Sequence, residues 1–159
     1  MRFEWVEGFF IAQAPRPRGG PGLLEDLRAA RARGVDVLVS CQTMEEATRM
    51  GLADEADAAL EAGLEFIRFP IVDHALPDDL EATVALADRL AGELLAGRRV
   101  VAHCFAGIGR SGLVVVTTLI RAGLTHDDAI RRASLARGLP VPETAAQIRW
   151  VRSVPDQRS

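Results

Sequence analysis

The stretch from Arg99 to Ala122 constrains this chain more than any other. Arg99 to His103 is a short run rich in apolar, β-branched residues, the pattern of a buried strand. Ser111 to Ala122 is strongly apolar and long enough for a buried helix. Between them, Cys104 to Arg110 carries Gly107 and Gly109 and reads as a turn. A strand that passes through a glycine turn straight into a buried helix is half of a βαβ unit. Chains of such units fold as helices packed on a largely parallel sheet.

The rest of the chain agrees. Phe3 to Val6 and Phe9 to Ala12 read as short strands with Gly8 at the turn, and Val35 to Ser40 and Leu64 to Phe69 as further strands. Pro15 to Gly22 is a loop by composition, and Ile71 to Asp79 another. Helices are expected over Leu23 to Arg33, ending at Gly34, and over Ala53 to Glu61. Asp78 with Glu81 resembles a capping box and predicts a helix from Asp79 to about Ala96; Thr125 with Asp128 predicts another to about Arg137. Pro142 is expected to open the last helix, to about Val151. The expected fold is α/β, with a central, mostly parallel sheet of about five strands flanked by helices. With 159 residues and neither repeat nor linker, residues 1–159 read as one domain.

Composition narrows the function classes. The formal charge is −3, so the protein as a whole is not built to attract nucleic acid, and an anionic ligand needs a local positive site. All the basic residues are arginine, and asparagine and tyrosine are also missing, which is explained by a GC-rich genome and points to a bacterial source. No apolar run reaches the roughly 20 residues that span a bilayer. The N-terminus lacks a basic-then-apolar signal pattern, so a cytoplasmic protein without a membrane partner is expected. Cys41 and Cys104 are too few for a disulfide scaffold and share no metal-ligand spacing with His74, His103 and His126, so no metal or other cofactor is expected. A reactive thiol and a pair of inert buried cysteines are the readings left.

The loop after the strand favours the first. A strand's C-terminal end beside a helix N-terminus is where α/β folds bind anions, because unpaired N–H groups and the positive end of the helix dipole meet there. Gly107 and Gly109 let the loop residues Phe105, Ala106, Gly107, Ile108 and Gly109 curl so that their amides converge. Arg110 adds a planar fork suited to phosphate oxygens. The same field favours a thiolate at Cys104, and a thiolate below a bound phosphate is a nucleophile aimed at phosphorus. Ser111 can donate a hydrogen bond to the Cys104 sulfur and ease its departure. His103 is expected to orient the loop from behind.

His103-Cys104-Phe105-Ala106-Gly107-Ile108-Gly109-Arg110-Ser111-Gly112 resembles the His-Cys-x5-Arg signature of the protein tyrosine phosphatases. It differs from the form common in tyrosine-specific members mainly at Phe105, where serine is usual. The tyrosine with which those larger enzymes sandwich phosphotyrosine has no counterpart here. Over nearly its full length the chain looks more like the small, atypical dual-specificity phosphatases. Phe3-Glu4-Trp5-Val6, Pro15-Arg16, Leu38-Val39-Ser40, Asp128-Ala129-Ile130 and Glu143-Thr144 followed by Gln147 all have counterparts there. Arg137 matches an arginine that proline usually follows; here Gly138 does.

The resemblance implies further roles. Phe69-Pro70-Ile71-Val72-Asp73 resembles the family's general-acid loop, with Asp73 as the acid that protonates the leaving oxygen. Asp78 and Asp79 are rivals that suit helix capping better. Gln147 matches a glutamine that helps place the hydrolytic water; a plain helix-surface glutamine is the other reading. Arg16 and Arg18 are candidates for a substrate's other anionic groups, and His74 and His126 read as exposed and without a role. Related small phosphatases, among them a lipid phosphatase and the phosphatases of regenerating liver, carry a cysteine after the strand equivalent to Val35 to Ser40. It can form a disulfide with the nucleophile, and Cys41 occupies that place.

The function implied is hydrolysis of phosphotyrosine, with phosphoserine or phosphothreonine, in a phosphorylated protein or peptide through a phosphocysteine, by a monomer. The alternatives are a phosphoinositide, inositol phosphate or RNA 5′-phosphatase on the same scaffold, and a phospho-binding module without catalysis. The first group usually wants more positive charge than this loop offers, and the second leaves Cys104, Arg110, Ser111 and Asp73 unexplained. Sulfur transfer and arsenate reduction also use cysteine loops and are more distant.

Overall fold

The computed structural model describes residues 1–157. Four strands form one all-parallel sheet: β1 (Ile11–Ala14), β2 (Val37–Ser40), β3 (Glu65–Arg68) and β4 (Val100–His103), in the spatial order β1-β4-β2-β3. Seven α-helices accompany them among the described residues: α1 (Leu23–Ala32), α2 (Met44–Arg49), α3 (Glu55–Ala62), α4 (Leu80–Leu95), α5 (Arg110–Arg121), α6 (His126–Arg137) and α7 (Ala145–Arg152). Every residue of β1, β2 and β4 is buried, as a sheet covered on both faces requires. Leu38 and Val101 pack on one face with Leu23, Leu27 and Ala59 of α1 and α3. Val37, Val39, Val100 and Ala102 pack on the other with Leu90 of α4 and Val115 and Leu119 of α5. The apolar run from Leu113 to Ile120 is core throughout.

The α/β class and the parallel sheet match the sequence reading; among the described residues the strand count is four rather than about five. Phe3 to Val6 joins no ladder. Val6 N–H donates to Ile11 O, but no further bond ties the segment to β1. The Phe3 side chain is instead buried against Trp5, ring centroids 5.1 Å apart, with the Arg33 guanidinium 3.8 Å over its ring. Packing orders that segment without hydrogen-bonded pairing.

Three boundaries also differ. The sequence reading passed over α2, although Thr43 and Glu46 form a complete capping box at its start. Helix α4 is capped by Asp79, whose carboxylate accepts from Ala82 N–H at 3.0 Å, one residue beyond the expected Asp78. Pro142 lies in the turn before α7, which starts after Thr144 in a capping box with Gln147.

Because the sheet is all parallel, the four strand ends Ala14, Ser40, Arg68 and His103 face the same side, with β4 in the middle. The loops that follow them build one site.

Candidate active site

The loop after β4 is shaped by its outward carbonyls. Arg16 N–H donates to Phe105 O at 3.1 Å, and the Arg137 guanidinium donates to Ala106 O at 3.0 Å and Gly107 O at 2.9 Å. In a planar trans peptide the N–H points opposite to the C=O, so the amides of Ala106, Gly107 and Ile108 turn to the concave side. Gly107 N–H lies 3.3 Å from Cys104 Sγ. Only glycine fits there: its φ is +73°, and a Cβ would lie 2.3 Å from the Ala14 carbonyl carbon. The arginine contact survives the replacement of the usual proline by Gly138, which ends α6 in a left-handed conformation.

Cys104 is 3% exposed and sits at the bottom of this loop, its Sγ 3.3 Å from Ser111 Oγ in the first turn of α5. Arg110 opens that helix and is buried. Its guanidinium donates to both oxygens of Glu46, Nη1 at 2.7 Å and Nη2 at 3.0 Å, and Nη1 also donates to Ile71 O at 3.0 Å. Nη2 lies 3.2 Å from Asp73 Oδ1. Burial works against the charge on Arg110, but the Glu46 hydrogen bonds and the nearby sulfur and carboxylates outweigh it and hold the group cationic. Burial likewise works against ionised Glu46, and the bonds from Arg110 and Thr43 outweigh it, keeping its carboxyl below the usual range. Glu46 is the main functional residue that sequence reasoning missed. Its signal was the capping box of α2, whose Glu46 side chain accepts from Thr43 N–H at 3.1 Å while also gripping Arg110.

His103 is fully buried. Its Nε2 pairs with Glu55 Oε1 at 2.5 Å and its Nδ1 lies 3.3 Å from Cys104 O, so it braces the loop from behind. Glu55, at the start of α3, is the second missed residue.

A pocket of about 200 Å³ opens over Cys104, lined by Asp73, His74, Phe105, Ala106, Gly109, Arg110, Glu143 and Gln147 besides the cysteine. Ile108 instead packs against the core. His74 corrects the sequence reading: it is exposed but lines the pocket, its backbone is left-handed at φ 60°, and its ring lies 3.7 Å from Asp73 and 3.6 Å from Glu143. Glu143 enters the sequence reading only through a resemblance, yet it is the second carboxylate of the lining. Gln147 is buried rather than on a helix surface. Its Oε1 accepts from Glu143 and Thr144 N–H at 3.1 Å each, and its Nε2 donates to Ala75 O at 3.3 Å, tying α7 to the loop that carries Asp73. Asp78 is not in the lining. Arg18 is engaged with Asp26 and Glu25, whereas Arg16 stands 5.7 Å over the Phe105 ring. His126 Nε2 bonds to Val154 O at 2.7 Å, away from the pocket.

Cys41 follows β2 directly. Ser40 pairs with His103, and Cys41 N–H donates to His103 O at 2.8 Å, so the two cysteines leave neighbouring strands side by side. Burial first, and then the Cys104 charge, push the Cys41 thiol well up. Both thiols are free. Among the described residues no group of three or more His, Cys, Asp or Glu is arranged to hold a metal ion, and no helix is long and apolar enough to cross a membrane.

A thiol ringed by inward amides, a hydroxyl beside it, a braced guanidinium above it and a carboxylate at the mouth can bind a tetrahedral oxyanion and attack its centre. Fold and site together define a cysteine-dependent phosphatase of the dual-specificity type. Residues 13–124 match the family model described as "Tc-R-P: Polymorphic toxin system, DSP-PTPase phosphatase", and the chain belongs to that family. That span runs from β1 through α5 and stops short of Arg137, Glu143 and Gln147.

Solved structures with this fold include the following three. A kinase associated phosphatase with serine replacing its catalytic cysteine is 18% identical, with a TM-score of 0.84 over 95% of this chain and 92% of that one. Tk-PTP in its active form is 24% identical, with a TM-score of 0.78 over 96% and 95%. PTPMT1 in complex with PI(5)P is 18% identical, with a TM-score of 0.73 over 91% and 88%. No curated protein sequence matches the chain.

Proposed function

We propose that this phosphatase hydrolyses phosphomonoesters on protein side chains, phosphotyrosine first, through a Cys104-phosphate intermediate. The loop amides and Arg110 hold the phosphoryl oxygens. The Cys104 thiolate attacks phosphorus, and the ester bond breaks as Asp73 gives its proton to the leaving oxygen. Water then attacks the phosphocysteine and loses a proton to Asp73; inorganic phosphate departs, and the sulfur leaves as a thiolate stabilised by the Ser111 hydroxyl. Gln147, held by three hydrogen bonds at the pocket wall, orients that water in this reading.

The observation that carries this reading is the convergence of Cys104, Ser111, the Gly107 amide and Arg110 under a mouth carrying Asp73. The charge of the lining supports a protein substrate over a polyphosphorylated headgroup. Among the described residues Arg110 is its one permanent cation, set against the carboxylates of Asp73 and Glu143. One guanidinium can serve one phosphoryl group and leaves none for the further phosphates of a headgroup. Half-exposed Phe105 offers an apolar face to an aromatic ring at the mouth.

The test is a substrate panel. An aryl phosphate, phosphotyrosine, phosphoserine and phosphothreonine peptides, and phosphoinositide headgroups are compared by kcat/KM. Phosphotyrosine peptides are expected to lead, Cys104→Ser to abolish turnover while still binding phosphate, and Asp73→Asn to slow alkyl phosphates far more than aryl ones. Normal turnover by Cys104→Ser overturns the mechanism, and a headgroup as the best substrate overturns the substrate class. Equal loss on all leaving groups in Asp73→Asn, together with a leaving-group dependence in Glu143→Gln, moves the acid to Glu143.

A further inference from the structure

A second groove of about 360 Å³ lies beside the pocket over Cys104 and shares Asp73 and Phe105 with it. Its walls include Met50, Val72 and Phe105, and the last two present exposed apolar surface. Exposed apolar side chains occur singly elsewhere on the described surface, and these two are set apart by flanking the site. The groove also has a sign. Glu45, Glu46 and Asp73 line it against, among the described residues, a single cation of its own, Arg49.

The carboxylates are not equivalent. Glu46 spends both oxygens on Arg110, and Asp73 leans on the same guanidinium. Glu45 is 80% exposed, and its bond to Arg49 spans 3.2 Å between two solvated side chains. Such a pair is worth little and exchanges readily for a better partner. A phosphoryl dianion next door then adds two negative charges. Even with Asp73 protonated for the transfer, the groove and pocket carry an excess of negative charge once substrate is bound.

From this geometry we infer that the groove binds the side chain of an arginine or lysine lying within about two residues of the phosphorylated residue, a separation the chain spans at about 3.3 Å per residue. This rests on the phosphoprotein reading above. The aliphatic stem lies along Val72, Met50 and the Phe105 ring, as long basic side chains do on apolar surface. The cationic head meets Glu45 and the flank of the phosphoryl group. An acidic flanking residue meets the same field with the wrong sign, and so does a polyphosphorylated lipid headgroup.

The experiment uses fluorescein-labelled phosphotyrosine peptides that differ only in carrying Arg, Ala or Glu on either side of the phosphoresidue. Their Kd is measured on Cys104→Ser protein and their kcat/KM on protein with Cys104 intact. An Arg-over-Glu preference of about tenfold is expected in both, the size set by one gained and one repelled exposed pair beside a charged site. Glu45→Lys should bring the ratio to about one or below, and Glu45→Gln should give an intermediate ratio. Each ratio is taken within one variant, so a general loss of folding or activity cancels.

Equal binding of the Arg and Glu peptides overturns the assignment. So does an unchanged ratio in Glu45→Lys, tighter binding of an inositol phosphate headgroup than of the Arg peptide, or no peptide binding at all. A binding ratio that holds while no phosphopeptide is hydrolysed overturns the phosphoprotein-substrate reading and leaves the groove assignment standing.

Discussion

Glu46→Gln is the perturbation that probes most directly how the phosphate fork is held. Both Glu46 oxygens accept from Arg110, at 2.7 and 3.0 Å, inside a pair whose side chains are 10% and 1% exposed. Glutamine has one acceptor oxygen. If it takes the Oε2 place it keeps the Thr43 contacts of the capping box, and its NH₂ then faces the Nη2 donor. One charge-assisted bond is lost and two donors oppose each other. Losing a hydrogen bond to a charged group costs about 1.5–3 kcal/mol, and stranding a buried charge entirely costs about 3–5 kcal/mol. Arg110 keeps Ile71 O and Asp73, so the expected cost is about 2–3 kcal/mol, inside the first range and below the cost of stranding the charge. For a chain of this length that is a fall in Tm of about 4–12 °C. The guanidinium also swings toward Asp73, and a displacement of about 1 Å at a reacting centre can cost about a hundredfold, so kcat/KM on an aryl phosphate should fall about 10–100-fold. Thermal melts and steady-state kinetics on the same preparation check both numbers. A Tm within about 2 °C of the parent with kcat/KM unchanged would show that Glu46 does not hold the arginine and would refute the reasoning.

Three further outcomes follow from the same geometry. Glu46 has a folded-state pKa below its unfolded value, so it adds stability above about pH 4.3 that is lost as pH falls through the folded value. Denaturant unfolding across that acid window should therefore be steeper in pH for the parent than for Glu46→Gln, and parallel curves would count against the pair. Gly107→Ala should cost about 2–4 kcal/mol and abolish vanadate binding, because its Cβ would meet the backbone of Ala14 and Pro15 at a positive φ; a melt like the parent's with vanadate still bound contradicts this. Peroxide should oxidise the Cys104 thiolate to a sulfenic acid, which Cys41 captures as a disulfide with release of water. Adjacent strands sit about 4.8 Å apart, inside the Cα range a disulfide spans. A reductant should then restore the parent but not Cys41→Ser, and the raised Cys41 pKa should make capture faster at alkaline pH; equal recovery of both proteins defeats the switch.

Periodicity and spacing carried the local facts. The apolar strand, glycine turn and buried helix from Arg99 to Ala122 set the α/β class, and Cys104, Arg110 and Ser111 come together because only one short turn separates the end of the strand from the first turn of the helix. What lies far apart in the chain was decided by the fold. Glu46 reaches Arg110 across 64 residues, Glu55 reaches His103 across 48, and Gln147 reaches Ala75 across 72, through sheet order and helix placement that no short window encodes. Phe3 to Val6 has strand composition but no ladder, because pairing depends on a neighbour and the Phe3 and Val6 side chains are buried without one. His74 reads as an ordinary polar residue in sequence and Glu143 only as part of a resemblance, and both are pocket walls because the loop after β3 and the turn before α7 meet over the same strand ends. Sequence determines which groups can do the chemistry when they are neighbours in the chain. The braces, the second carboxylate and the side groove depend on long-range packing, whose energy resides in contacts that form only when the sheet closes.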